Sequence, residues 1–157
     1  YQILGTFSGI TLVDDFAHNP AKIAASLRSV EAFTEGRVIA WFQPHGYGPT
    51  RFLRKDLVSE IKGALRVSNT DSQNDCIFFS DIYYAGGTVV KDISSADLVD
   101  DLLEEGVEAH YFADRKECAK EMVRLAEPSD CILLMGARDP SLGEFALYVK
   151  ELLENLK

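Results

Sequence analysis

The stretch Ile10-Thr-Leu-Val-Asp-Asp-Phe-Ala-His-Asn-Pro-Ala-Lys-Ile-Ala-Ala-Ser26 decides the fold. Its first half is an apolar, β-branched run ending in two acids, Asp14 and Asp15, as a buried strand does on reaching its exposed end. Its second half opens a helix. Pro20 suits a first helical position, where its fixed φ fits and its missing N–H is not needed. Asn19 before it can accept from the unpaired amides of the first turn. A helix over 20–33 then places Ile23, Leu27 and Val30 on one face. Asp14, Asp15, His18 and Asn19 therefore gather where a strand hands over to a helix. In open α/β sheets that crevice is where ligands bind.

The same unit recurs along the chain. Residues 1–4 read as a short strand, joined through Phe7-Ser-Gly9 to the main one as a hairpin. Residues 37–42 form the next buried strand. Gln43-Pro-His-Gly-Tyr-Gly-Pro-Thr-Arg51 follows, a shaped loop with two glycines and two prolines. Thr50 is expected to cap a helix running to about Leu65, and residues 67–75 read as a polar surface loop. Residues 76–79 are a third strand, ending in Ser80-Asp-Ile-Tyr-Tyr-Ala-Gly-Gly87. Ser94 or Ser95 caps a helix over 96–105, which Gly106 closes. A strand at 107–112, a helix at 115–125 capped by Asp114, a buried strand at 131–135, a loop at 136–143 and a helix at 144–156 complete the chain.

Strand followed by helix, five times over, predicts an α/β fold: a doubly wound, mostly parallel Rossmann-like sheet with helices on both faces. The strands are continuously rather than alternately apolar, as parallel strands buried on both faces require. A length of 157 residues suggests a single domain over 1–157 with room for a substantial core. The net charge of −9 argues against a nucleic-acid partner, and no run of 18 apolar residues predicts a membrane span. Cys76, Cys118 and Cys131 match no zinc or redox spacing and read as small buried hydrophobes. Three unpaired thiols suit a reducing cytoplasm, the expected location.

In a parallel sheet the loops at 14–19, 43–51, 80–87 and 136–143 share one edge, which is the expected site. Asp14 and Asp15 could hold ribose hydroxyls or a metal, or cap a turn and be solvated. His18 could meet a base or serve as a structural donor. His45 and Tyr47 lie in a loop whose glycines let backbone approach a ligand, unless that loop is only a rigid turn. Arg51 and Arg54 stand where the helix dipole disfavours a cation, so an anion contact is a candidate role. Asp81, Tyr83 and Tyr84 line the same edge or pack. His110, inside a strand, reads as structural. The sequence contains no Gly-x-x-x-x-Gly-Lys-Ser/Thr loop, no Gly-x-Gly-x-x-Gly after the first strand and no Gly-x-Ser-x-Gly elbow. No complete catalytic set is visible, and no metal site.

Val13-Asp-Asp-Phe-Ala-His-Asn-Pro20, Phe42-Gln-Pro-His45 and Asp81-Ile-Tyr-Tyr-Ala-Gly86, in this order, resemble the C-terminal domain of the Mur ligases, nearest to the alanine-adding branch. Tyr1-Gln-Ile-Leu-Gly5 resembles the opening of that domain. The resemblance implies a three-domain, ATP-dependent ligase of peptidoglycan synthesis. Its N-terminal and central domains, absent here, would hold the UDP-sugar and, with Mg²⁺, ATP. The sugar carboxylate becomes an acyl phosphate, which the amine of an amino acid attacks. On this likeness Asp15, His18 and Asn19 serve the nucleotide, and His45, Tyr47, Arg51, Asp81 and Tyr83 the substrates. Gly46 and Pro49 stand where the family carries arginine. Two other readings remain: a receiver-like regulatory module with an acidic pocket of Asp14, Asp15 and Asp81, and a binding module that kept the fold without the chemistry. A receiver needs a lysine after the last strand, where Gly136-Ala-Arg138 stands.

Overall fold

A computed structural model describes residues 1–67, 74–84, 90–136 and 141–156. Gly86 and Gly87 in one expected loop, Ala137 to Pro140 in another, and residues 68–73 lie outside the described residues. The elements run β1 (Gln2–Phe7), β2 (Ile10–Asp15), α1 (Pro20–Phe33), β3 (Val38–Gln43), α2 (Tyr47–Ala64), β4 (Cys76–Phe79), α3 (Ser95–Glu104), β5 (Glu108–Tyr111), α4 (Arg115–Leu125), β6 (Cys131–Gly136) and α5 (Leu142–Glu154).

The strands form one six-stranded sheet in the order β1-β2-β6-β3-β4-β5. β1 pairs antiparallel with β2 through a tight turn in which Ser8 and Gly9 both have positive φ, 53° and 83°. The remaining pairs are parallel, with Val13 beside Leu133 and Leu133 beside Ala40. Alternate side chains build two cores. On one face Val13, Leu133, Ala40 and Ile77 meet Ile23 and Leu27 of α1, Leu57 and Ile61 of α2, and Leu98 and Leu102 of α3. On the other, Leu12, Ile132, Trp41 and Phe78 meet Met122 of α4 and Phe145 and Val149 of α5. The chain steps outward from β2 to β5 and then returns to insert β6 between β2 and β3. Right-handed crossovers put helices on the opposite face when the direction reverses, which is why α4 is separated from α1–α3; α5, after the last strand, packs beside α4.

The first unit is as read from sequence: α1 spans Pro20–Phe33, and the Asn19 side chain accepts from the Lys22 amide at 2.9 Å. Other boundaries are corrected. β1 extends to Phe7. The loop at 43–51 is half helix, because α2 starts at Tyr47 with Gly46 as its N-cap. Thr50 therefore caps nothing; its hydroxyl donates back to the Gly46 carbonyl at 2.6 Å. Pro49 is tolerated as the third helical residue, where an amide would have no intrahelical acceptor. α5 starts at Leu142. Asp75, expected in a solvated loop, is fully buried. Its carboxylate accepts from the Val38 amide at 2.8 Å, the Arg66 amide at 2.9 Å and the Arg66 guanidinium at 3.1 Å, joining β3 to the segment after α2. The three cysteines are buried and unpaired, as expected; burial pushes the Cys118 thiol up to about 11. His110 stacks on Phe78 at 4.6 Å and meets Glu108 at 3.0 Å, a structural role.

Candidate functional site

The post-strand segments share one edge of the sheet, and the return of β6 between β2 and β3 opens the crevice there. The turn after β2 and the start of α2 enclose a cavity of about 280 Å³ lined by His18, Asn19, Phe42, His45, Thr50 and Leu53, among others. It therefore unites two residues expected at the nucleotide with one expected at the substrate. His18 is oriented by its backbone: Nδ1–H donates to the Phe16 carbonyl at 3.1 Å, leaving Nε2 as the acceptor of the neutral ring. Among the described residues no lysine or arginine lines this cavity, and the described walls suit a base, a sugar or an apolar group better than a polyphosphate.

His45 is fixed from the side. Its backbone bridges that of Tyr83 in parallel, with the Tyr83 amide donating to the Pro44 carbonyl at 2.8 Å and the Gly46 amide to the Tyr83 carbonyl at 2.9 Å. The two rings stack at 5.4 Å, tilted by 28°. Tyr83 is also a wall of a second cavity, about 350 Å³, above the ends of β3, β4 and β5, which Asp81 lines as well. The Tyr111 hydroxyl donates to the Asp81 carboxylate, and that bond with burial raises the phenol to about 12.

Other expected residues lie apart. Asp15 is outside the first cavity; it accepts from the Ser26 hydroxyl and lines a shallow hollow on the far side of the α1 turn. Tyr47 packs edge-on against Tyr84 at 5.6 Å, and the Lys91 ammonium lies 4.9 Å from the Tyr84 ring. Arg51 is paired with Asp92. Arg54 makes a two-pronged pair with Asp101, at 2.7 and 3.0 Å, which holds that carboxyl below its usual range. The cations near the start of α2 thus meet acids of the chain itself. The acidic pocket of a receiver is not assembled. β6 and β3 separate β2 from β4, and three strand spacings of about 4.8 Å put their ends about 14 Å apart.

Arg115 was missed by reading the sequence. It opens α4 and lines the second cavity. The available signal was an arginine in a first helical turn, where the dipole disfavours it.

The model of the Mur ligase, glutamate ligase domain family matches residues 1–138. A UDP-N-acetylmuramate–L-alanine ligase from Pelotomaculum thermopropionicum is 34% identical over 158 residues, covering 100% of this chain and 32% of that protein. The chain spans about a third of the length of the curated relatives it matches. A murein peptide ligase from Psychrobacter arcticus superposes with a TM-score of 0.74 at 15% identity, over 99% of this chain and 30% of that one. A Haemophilus ducreyi domain, from a protein assigned as a UDP-N-acetylmuramate:L-alanyl-gamma-D-glutamyl-diaminopimelate ligase, superposes with a TM-score of 0.65 at 21% identity, over 96% of this chain and 98% of that one. Among the described residues no helix is long and apolar enough to cross a membrane.

Proposed function

This chain belongs to the Mur ligase family, through its glutamate ligase domain, and from that premise we propose that it is the C-terminal part of an ATP-dependent ligase joining an amino acid, L-alanine as in the relatives above, to UDP-N-acetylmuramate in peptidoglycan synthesis. One observation carries the reading. The cavity holding His18, Asn19 and His45 is open, and among the described residues no lysine or arginine lines it. It is half of a site, whose phosphate-binding half belongs to another part of the parent protein.

ATP supplies the phosphoryl group that activates the sugar's carboxylate, and Mg²⁺ with most of the triphosphate is held by the central domain of the parent. This chain's residues fit the remainder. His18 and Asn19 offer a ring nitrogen and a side-chain amide to the base or ribose; Asp15, outside that cavity and bonded by Ser26, serves the nucleotide only where the ribose extends past the turn toward it. His45, braced by Tyr83, faces the same space and excludes water from the activated carboxylate when the domains close. Tyr47 and Arg51, on the first turns of α2, are engaged with Tyr84 and Asp92, and a substrate role for them requires those contacts to be exchanged when the domains close. The chain is inactive by itself, because its sequence holds no Gly-x-x-x-x-Gly-Lys-Ser/Thr loop to cradle a triphosphate.

The test is amino-acid-dependent phosphate release from ATP and UDP-N-acetylmuramate. The full-length protein is expected to release phosphate, and residues 1–157 alone to release none. His18→Ala is expected to raise the KM for ATP about tenfold, the order of one lost hydrogen bond to a ligand. A full-length protein that releases no phosphate with any amino acid overturns the ligase reading. Release by the isolated chain overturns the division of labour.

A further inference from the structure

At the end of the sheet opposite the candidate site, one guanidinium serves two carboxyl groups. Arg66, just past α2, reaches the Asp75 carboxylate at 3.1 Å and the Glu31 carboxyl at 3.5 Å, and donates to the Gly36 carbonyl at 2.6 Å. Asp75, just before β4, is fully buried and takes four donors: the Val38 amide, the Arg66 amide and two nitrogens of the Arg66 guanidinium. Glu31 is less well served. Its Oε2 is buried and meets no donor among the described residues, an arrangement that costs the desolvation of that oxygen without return. It also stands in the last turn of α1, where the helix dipole disfavours a negative charge and no basic residue offsets it. The Asp75 carboxyl lies within hydrogen-bonding reach of the Glu31 carboxyl. A proton on Glu31 answers all of this at once. It removes a charge from the helix end and lets the unserved oxygen donate to Asp75. Donors already crowd Asp75, so the proton belongs on Glu31.

We propose that Glu31 and Asp75 hold one proton between them, carried on Glu31, and that this proton makes a pH-sensitive clasp joining α1 to the segments after α2 and before β4.

The surroundings agree with this assignment. Burial, and next the Asp75 charge, raise the Glu31 carboxyl above its ordinary value, while Arg66 and, more weakly, Arg28 on the same helix oppose the rise. Arg37, before β3, pairs with Asp130 instead. The Cys131 thiol, at the start of β6, is pushed by burial up to about 12 and adds no charge. Because the folded value of Glu31 exceeds the unfolded one, the clasp contributes fully below the ordinary glutamate range and is lost as pH rises through the folded value. Asp101 and Glu121, held low by Arg54 and Arg124, act in the opposite direction. The clasp is therefore read as a difference between variants.

Urea unfolding of residues 1–157 and of Glu31→Gln, from about pH 4 to about pH 8, isolates the proton. Glutamine keeps the shape, and its amide donates to Asp75 at every pH. Glu31→Gln is expected to gain on the unaltered chain as pH rises, the ratio of their folding constants changing by at least about threefold. Parallel profiles, or a change of the opposite sign, overturn the proposal. Glu31→Leu separates the bond from mere burial, since leucine and glutamine have similar helix propensities. At the upper pH, Glu31→Gln is expected to be the more stable of the two; equal stability overturns the bond to Asp75. A further measurement needs no variant. In the chain carrying ¹³C-labelled glutamate, the Glu31 side-chain carboxyl is expected to titrate at higher pH than glutamate in a peptide. Titration in the peptide range overturns the clasp even if the variants fail to fold.

Discussion

Gly46 has φ 80° and ψ 139° as the N-cap of α2, a conformation close to one reserved for glycine. A Cβ built there would lie 3.1 Å from Pro49 Cδ. Gly46 and Pro49 are therefore close neighbours, and they act as one local solution for starting α2 early. Gly46→Arg is accordingly expected to destabilise the chain by about 1–3 kcal/mol, rather than to restore a missing charge. Urea denaturation of the variant measures this; unchanged stability would mean that the turn reshapes freely. Arg115 carries the converse lesson. Its residue type and its place in a first helical turn were both legible, but its partners Gln43 and Ser141 are 72 and 26 residues away in sequence. Contacts at that separation leave no local periodicity.

At the scale of elements, the caps were the dependable signal. Asn19 and Asp114 cap α1 and α4 as their sequences required, and the Asp97 carboxylate reaches back to the Ser94 amide at 2.9 Å at the start of α3. α2 escaped this logic because its N-cap has no side chain. The polar segment before β4 hid a different device. Asp75 looks solvated in sequence, yet it ties the start of β3 to Arg66. Asp75→Asn replaces one acceptor oxygen with a donor that faces other donors. A loss of about 3 kcal/mol is expected, the size of breaking one side of a buried pair, and thermal unfolding at neutral pH checks it. A shift of less than about 0.5 kcal/mol, within the range of surface substitutions, would show that the clamp contributes little.

At the scale of the molecule, one sheet separates two cores, and every central strand contributes to both. Neither face can open without exposing the other side of the same strands, so unfolding is expected to be a single cooperative transition. Trp41 lies in the core covered by α4 and α5, whereas far-UV circular dichroism reads all five helices. The two denaturation curves are therefore expected to coincide. A fluorescence transition that precedes the loss of helix would reveal that the α4–α5 face melts first.

The sequence by itself determined the five strand–helix units, their alternation, most caps, and the edge of the sheet on which polar loops would gather. Those properties follow from hydrophobic period and terminal hydrogen bonding, which act over a few residues. Only the tertiary structure decided which loops become neighbours. Inserting β6 between β2 and β3 set Asp14 and Asp15 far from Asp81. The pairing of β4 with β5 set Arg115 beside Asp81. Strand order depends on the direction of each crossover and the packing of distant helices, and no short stretch of sequence encodes it.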